Sequence, residues 1–309
     1  MGSNDWNDGS MISKEALIQE NEQAQQRTKK WRFATIKKVL LPYVLLFPAF
    51  SVVLLFIVYP IFTTVVRSFQ DSETNAFTWA NYRYFLMDPI QQSNLFYTLK
   101  IVLITVVLAL FFGYGLALYI RFSNSRFSRI MSTLNLVPRF IPGLVAVYSV
   151  MMIIRDSGVL NRISKLFGYD FKPGWLFNET GIILMNLWFN IPFVSLIILA
   201  SLSNVKRSSI EAARDIGASY LVILQKIIIP MTYKGILVAM TFVFMGNVGS
   251  FTTPFLMGGN HPKMLGIAVY DQFNSYMDYE RTAALSVIMF LICSVAATFY
   301  IMSNLKQKR

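Results

Sequence analysis

Six apolar blocks, each about 20 residues long or longer, constrain the fold of this 309-residue chain more than any other feature. At a rise of about 1.5 Å per residue, each block can cross a hydrocarbon core of about 30 Å as a helix. Charged residues make up only 14% of the chain, compared with roughly 25% in average globular proteins. The sequence therefore predicts an all-α integral membrane protein with six transmembrane helices. The predicted spans are 39–66, 101–120, 134–154, 181–203, 227–248 and 283–303.

Charge is distributed unevenly between the segments that connect these blocks. Residues 1–38, the connections after the second and fourth blocks, and the C-terminal tail together carry a net charge of +10, whereas the other three connections are neutral overall. Because basic connections remain in the cytoplasm, both termini are predicted to be cytoplasmic. Arg139 and Lys234, inside the blocks, complete the net charge of +12, so no nucleic-acid partner is needed to explain it.

Two parts of the chain differ in composition. Residues 1–38 are polar and basic, and we expect a cytoplasmic segment that is either helical or disordered. Residues 39–309 form the predicted six-span domain. Cys293 and His261 are the single cysteine and the single histidine, which excludes a disulfide framework and most zinc sites.

A short polar motif between the fourth and fifth blocks is the strongest local signal. Ser208 and Glu211 have the spacing of a capping box, which predicts that a helix begins at Ser208. Ile210, Ala213 and Ile216 recur at helical spacing, and Gly217 is placed to end the helix. Such a helix either docks into a groove on another protein or lies on the bilayer surface, and the residues alone favour neither.

The same motif resembles the EAA motif of binding-protein-dependent ABC importer permeases. The resemblance depends on Glu211-Ala212-Ala213, on Gly217 six residues after Glu211, and on Pro230 thirteen residues later. Further matches to that family lie along most of the chain outside residues 1–38. They are Tyr59-Pro60, Ser68-Phe69, Asn81-Tyr82, Thr98-Leu99, Gly158, Asn161 and Pro192.

The resemblance implies a permease subunit of an ATP-driven importer in a bacterial inner membrane. Its partners would be a second permease, two copies of an ATP-binding subunit and an external substrate-binding protein. The chain has no Gly-x-x-x-x-Gly-Lys-Ser/Thr loop, so ATP and Mg²⁺ would bind the partner subunit, and we expect no enzyme activity, metal or cofactor in this chain. The coupling helix to the ATPase would comprise Glu211, Ala212, Ala213, Asp215 and Gly217.

The resemblance also bears on the substrate. Residues 249–259 and 265–273 resemble the polyamine, iron and phosphonate branch, which favours a polyamine-like substrate. Maltose-type sugar permeases share the Tyr-Pro, Ser-Phe and Asn-Tyr features, so a sugar is the alternative. A polycation would need acidic or aromatic groups. The predicted spans contain no Asp or Glu, so the acidic candidates lie near the outer face. They are Asp156, Asp271, Asp278 and Glu280.

Polar and aromatic side chains inside the spans are the candidates for a translocation path. A buried amide needs a hydrogen-bond partner, so each Asn either lines the path or bonds a neighbouring helix. Aromatic rings there could equally face lipid. The candidates are Asn186, Trp188, Asn190 and Asn247.

Other classes of protein fit the sequence less well. A membrane enzyme would need a constellation such as paired carboxylates within the spans. A secondary transporter would usually have more spans and an internal repeat. A channel would be compatible with the spans but not with the motif around Glu211.

Overall fold

The computed structural model describes residues 41–306, in which every regular element is a helix. The predicted N-terminal segment, 1–38, lies outside the described residues. The internal contacts divide the chain into two units, one ending at Thr63 and the other beginning at Thr64. The packing described below belongs to the second unit.

The helices are α1 (Leu41–Ser68), α2 (Ala80–Met87), α3 (Pro89–Phe122), α4 (Arg126–Leu134), α5 (Val137–Phe140), α6 (Gly143–Ile154), α7 (Val159–Leu166), α8 (Glu179–Leu202), α9 (Arg207–Asp215), α10 (Tyr220–Val248), α11 (Thr252–Met257), α12 (Leu265–Tyr270) and α13 (Tyr279–Lys306).

Six helical segments in the described part of the chain are long and apolar enough to cross a membrane, which confirms the predicted number. The third differs from its prediction, because it runs over Gly143–Leu166 and not over 134–154. Pro138 lies in the short helix α5, and Pro142 is the N-cap of α6. Each proline lacks an N–H donor, which favours helix starts over continuous helix at these positions. A turn at residues 155–158 then separates α6 from α7.

The longest described helix, α3, has 34 residues and starts well before its predicted apolar block. The Oδ1 of Asp88 accepts hydrogen bonds from the N–H groups of Ile90 (2.9 Å) and Gln91 (3.1 Å). Pro89 occupies the first helical position, where a missing N–H costs nothing. A helix of this length extends about 50 Å, so α3 is longer than the hydrocarbon core is thick.

Close packing between α3 and α8 forms the centre of the largest buried cluster. Ala109, Gly113 and Ala117 are spaced four residues apart, so they lie on one face of α3. A Cβ atom at Gly113 would lie 2.7 Å from the Cβ of Val194 in α8. Small residues at this spacing let two helix backbones approach closely inside a membrane. This spacing in the sequence could have predicted the contact.

Two polar contacts show that α3 and α8 run in the same direction. The Nζ of Lys100, in the first half of α3, and a carboxylate oxygen of Glu179, the first residue of α8, are 2.6 Å apart. The Nε of Arg121 donates to the Leu202 carbonyl near their ends (3.3 Å). The connections that follow both helices therefore share one end of the molecule, here called the basic end. At the opposite end, the Oδ1 of Asn94 accepts the N–H of Lys263 (2.7 Å).

Residues that carried the family resemblance near the first span have structural roles. The hydroxyl groups of Ser68 and Tyr82 are 2.6 Å apart and buried. The Nδ2 of Asn81 donates to the carbonyl groups of Ser68 (3.1 Å) and Gln70 (2.9 Å). These bonds fasten the segment after α1 to α2.

Candidate functional site

Helix α9 lies at the basic end, between the fourth and fifth spans, as predicted. Its N-cap is Lys206, and no side chain caps it. The predicted capping box of Ser208 and Glu211 is therefore wrong. The helix begins at Arg207, one residue before Ser208, and the Nη2 of Arg207 donates to the Oδ1 of Asn124 at 3.2 Å. This contact joins the start of α9 to the α3–α4 connection.

The other end of α9 agrees with the prediction for Gly217. Gly217 has a φ of +84°, in the left-handed region. The Gly217 N–H donates to the Arg214 carbonyl (2.8 Å), and the Ala218 N–H donates to the Ala213 carbonyl (3.0 Å). These two bonds define a Schellman motif, which fixes the end of the helix.

The two sides of α9 have different environments. Ala213 is buried, and Ile210 packs against the same core cluster. The expectation that Ile216 shares this face is wrong, because its side chain is 86% exposed. Ile216 is the C-cap, where the chain leaves the helical path. Glu211, Ala212 and Asp215 are exposed as well, so α9 is anchored on one side and open on the other.

Two of the predicted path residues meet between α8 and α10. The Nδ2 of Asn190 donates to the Oδ1 of Asn247 at 3.4 Å and to the Asn186 carbonyl at 2.7 Å. The Nδ2 of Asn247 donates to the Val243 carbonyl at 2.6 Å. Asn190 and Asn247 thus link the fourth and fifth spans.

Asn186 and Trp188 have different surroundings from that pair. Asn186 is 3% exposed, and its Nδ2 has no hydrogen-bond partner among the described residues. Buried amide donors are rarely left without a partner, so this group is available to a hydrogen-bond acceptor that enters between the spans. Trp188 is 39% exposed. Its position, two residues from both Asn186 and Asn190, places it on the other side of α8.

The acidic candidates at the opposite end each have a defined partner. Asp156 accepts the Gly174 N–H at 2.9 Å. The Nζ of Lys263 lies 2.6 Å from the Oδ2 of Asp271, and both side chains are half-buried.

The two remaining acidic candidates lie at the start of α13. Asp278 pairs with the Nε of Arg281 at 3.3 Å and also accepts its N–H. Glu280 pairs with the Nε of Arg67 at 3.3 Å. Three of the four acidic candidates are therefore already paired with a basic residue.

A cavity of about 470 Å³ at the same end was not identified by the sequence reasoning. It lies between the end of α10, α12 and the start of α13. Aromatic rings, an amide and hydroxyl groups line it, including Phe251, Tyr270, Phe273, Asn274 and Thr282. Among residues 41–306, no three His, Cys, Asp or Glu side chains lie close enough to hold a metal ion.

Six apolar helices long enough to cross a bilayer, with a short exposed helix between the fourth and fifth, are the architecture of a multi-pass membrane protein. A family model described as "Binding-protein-dependent transport system inner membrane component" matches residues 109–309, and the chain belongs to this family. It is a permease subunit of an ABC importer in a bacterial inner membrane. Such permease components are not enzymes themselves.

Relatives named for different substrates match this chain at similar levels of identity. The spermidine/putrescine transport system permease protein PotB of Escherichia coli K12 is 27% identical over 225 residues, covering 72% of this chain and 82% of that protein. The sulfoquinovosyl glycerol transport system permease protein SmoG of Agrobacterium fabrum is 29% identical over 299 residues, covering 90% and 94%. Both substrate classes considered from the sequence are therefore represented.

The fold is similar to that of a chain in a solved bacterial ABC transporter involved in import of the acidic polysaccharide alginate. The TM-score is 0.76 at 18% identity, covering 90% of this chain and 99% of that one. A second structure, of the alginate transporter with an alginate pentasaccharide-bound periplasmic protein, gives a TM-score of 0.74 at 18% identity, covering 86% and 94%. At this identity the likeness shows the fold alone.

Proposed function

We propose that α9 is the coupling helix through which this permease contacts an ATP-binding subunit. The observation that carries the proposal is the asymmetry of α9. Ala213 and Ile210 pack against the core cluster and the Gly217 cap fixes the end of the helix, while Glu211, Ala212 and Asp215 remain open to a partner. A rigidly anchored helix with one open side can transmit a partner's movement to the membrane helices.

The assembly that this role requires extends beyond the chain. Two ATP-binding subunits hold ATP and Mg²⁺ at the basic end, a second permease completes the path, and an external binding protein delivers the solute. The basic end then faces the cytoplasm, with both termini on that side. A reporter fused after Arg309 is expected to be active only in the cytoplasm, and activity only on the other side would contradict this orientation.

Charge reversal on the open side of α9 tests the coupling role. Glu211→Arg should abolish substrate-stimulated ATP hydrolysis and uptake while leaving the amount of protein in the membrane unchanged. Glu73→Arg is the matched control, because Glu73 is also exposed but lies at the opposite end. Wild-type uptake by the Glu211→Arg variant would exclude a role for this surface in coupling.

For the substrate, we infer a polyamine-like solute as the first candidate and a sugar as the second. The PotB relatives and the sequence of residues 249–273 support the polyamine. The pairing of Asp271, Asp278 and Glu280 with basic residues supports the sugar, because paired carboxylates attract a polycation less strongly. The aromatic cavity suits either class, since rings can stack on a sugar or attract a cation.

Asp156 provides a clean test of the two classes. Its carboxylate accepts a backbone N–H and has no ion-pair contact within 4 Å among the described residues, although its charge interacts with that of Lys172 at longer range. Asp156→Asn therefore removes the charge while keeping an acceptor oxygen. Polyamine uptake should fall, most strongly at low ionic strength, where the Debye length is long. Sugar uptake should not respond.

The amide group between the spans is the candidate path for either solute. Asn190→Leu removes its hydrogen bonds to Asn186 and Asn247. Its effect on uptake should exceed that of Asn260→Leu, because the side chain of Asn260 is exposed and makes no hydrogen bond among the described residues. Binding of a sugar and not of spermidine or putrescine by the cognate external protein would reject the first candidate and leave the permease assignment intact.

A further inference from the structure

A cavity of about 410 Å³ lies at the basic end, where α3 leaves its membrane span and α4 begins. It is separate from the path residues and from the open side of α9. Hydroxyl, amide and guanidinium groups line most of it. The lining residues are Ile120, Ser123, Asn124, Ser125, Ser128, Arg129 and Ser132.

The exposed polar groups around this cavity that have no partner among the described residues can all donate hydrogen bonds. Ser125 caps α4, and the hydroxyl of Ser128 donates to the Ile120 carbonyl, so both are engaged. Within the described residues, the side chains of Arg129 and Ser132 and the Nδ2 of Asn124 have no hydrogen bond or ion pair. None of the described residues that line the cavity is Asp or Glu. A ligand rich in acceptor oxygens and negative charge fits such a set of donors.

A second guanidinium group raises the positive charge beside the cavity. The Oδ1 of Asn124 is occupied by the Nη2 of Arg207 at 3.2 Å. Because its Oδ1 is occupied, Asn124 can offer its Nδ2 group as a donor to a ligand. The bond also connects the cavity wall to the first residue of α9.

Helix α4 itself indicates where the ligand comes from. Phe127, Ile130 and Leu134 recur at helical spacing and are each more than half exposed. A helix with an exposed apolar face and basic residues beside it, positioned where a span ends, has the character of an interfacial helix. Its apolar face would meet acyl chains, which brings lipid headgroups to the level of the cavity.

We propose that the α3–α4 cavity binds the phosphate of an anionic phospholipid headgroup in the leaflet at the basic end. Arg129 supplies charge and hydrogen bonds to the phosphate, and Ser132 and Asn124 donate to its remaining oxygens. Basic pockets beside membrane helices bind anionic headgroups in this way. The proposal does not depend on the substrate or on the coupling role of α9.

The test titrates the full-length chain in neutral detergent with phosphatidylglycerol or phosphatidylcholine and counts bound lipids by native mass spectrometry. Phosphatidylglycerol should bind more tightly than phosphatidylcholine. Arg129→Gln should weaken phosphatidylglycerol binding about fivefold, and Ser132→Asp should weaken it at least as much by repelling the phosphate. The matched control is Arg162→Gln, which removes an exposed arginine from α7 and should change nothing.

Four results would overturn the proposal. Equal binding of the two lipids would exclude a site for an anionic headgroup, and equal binding by the Arg129→Gln and Arg162→Gln variants would exclude this cavity. Displacement of phosphatidylglycerol by millimolar inorganic phosphate would identify a soluble phosphate as the ligand. In the assembled transporter, retained phosphatidylglycerol would support the proposal. Its loss would overturn the proposal, because a protein surface would then cover α4 in place of lipid.

Discussion

The packed interior around α3 and α8 and the exposed segments that connect the spans use the same residue types for different purposes. Gly113 provides space, because a side chain there would collide with Val194 in the facing helix. Gly217 provides a backbone conformation, because its φ is +84° while no atom of the described residues lies within 4 Å of its Cβ position. In the interior, the space available decides which substitutions are tolerated. In the connections, the backbone conformation decides it.

The largest effect is expected at Gly113. Gly113→Ala places a methyl group against Val194, which is fully buried, and should lower the free energy of unfolding by about 1–3 kcal/mol. Gly115→Ala is the matched control, because the new Cβ atom meets no atom within 4 Å. Thermal unfolding of the purified protein in detergent measures both. Equal losses at the two positions would contradict the close α3–α8 contact.

A smaller and more local effect is expected at Gly217. Gly217→Ala forces an L-residue into the left-handed region, at a cost of about 1–2 kcal/mol, and should fray the end of α9. Gly217→Asn should be milder, because asparagine tolerates this conformation. Hydrogen exchange of residues 207–219 and substrate-stimulated ATP hydrolysis by the assembled transporter report the change. If alanine matched wild type in both measurements, the Schellman cap would have no role in coupling.

The next smaller effect is expected from breaking the ion pair of Lys263 with Asp271. The two side chains are 27% and 20% exposed, so solvent screens the pair only in part. A double-mutant cycle with Lys263→Met and Asp271→Asn should give a coupling energy of up to about 1 kcal/mol. The coupling should decrease in high salt. A coupling of zero would mean that the 249–278 segment is held by its other contacts alone.

The smallest effect is expected at the exposed carboxyl group of Asp170. A hydrogen bond from Lys172, and then one from Asn161, lowers the pKa of Asp170 from its ordinary value of 3.8 to about 2. Because the pKa is lowered in the folded state, the stabilisation is present above the ordinary value and is lost as pH falls through about 2. Asp170→Asn should therefore be slightly less stable than wild type at neutral pH.

Thermal unfolding of the two proteins over a range of pH checks this expectation. Their difference should shrink as the pH falls from about 5 towards 2. A difference that does not depend on pH would show that Asp170 acts through its neutral hydrogen bonds and not through its charge.

Prediction from the sequence succeeded where a local pattern carries the physical cause. Apolar blocks longer than a bilayer core gave the number of spans, and the position of Gly217 gave the end of α9. Prediction failed where a local pattern was overridden, either by a contact with a distant part of the chain or by a second local pattern. Ser208 has the spacing of a capping box, but the helix begins at Arg207, whose guanidinium group contacts Asn124 on a distant connection. The third span began later than predicted because the prolines at 138 and 142 interrupt the apolar pattern.

The sequence by itself determined the class of protein, because hydropathy and the EAA-like motif are local along the chain. Only the tertiary structure decided which polar residues are free. Asn190 and Asn247 are 57 residues apart and meet between two spans, and Glu280 finds its partner in Arg67. Arg129, in contrast, lies beside a cavity and has no ion pair among residues 41–306. Pairing is a property of three-dimensional distance, so residues that look alike in the sequence differ in what they can still bind.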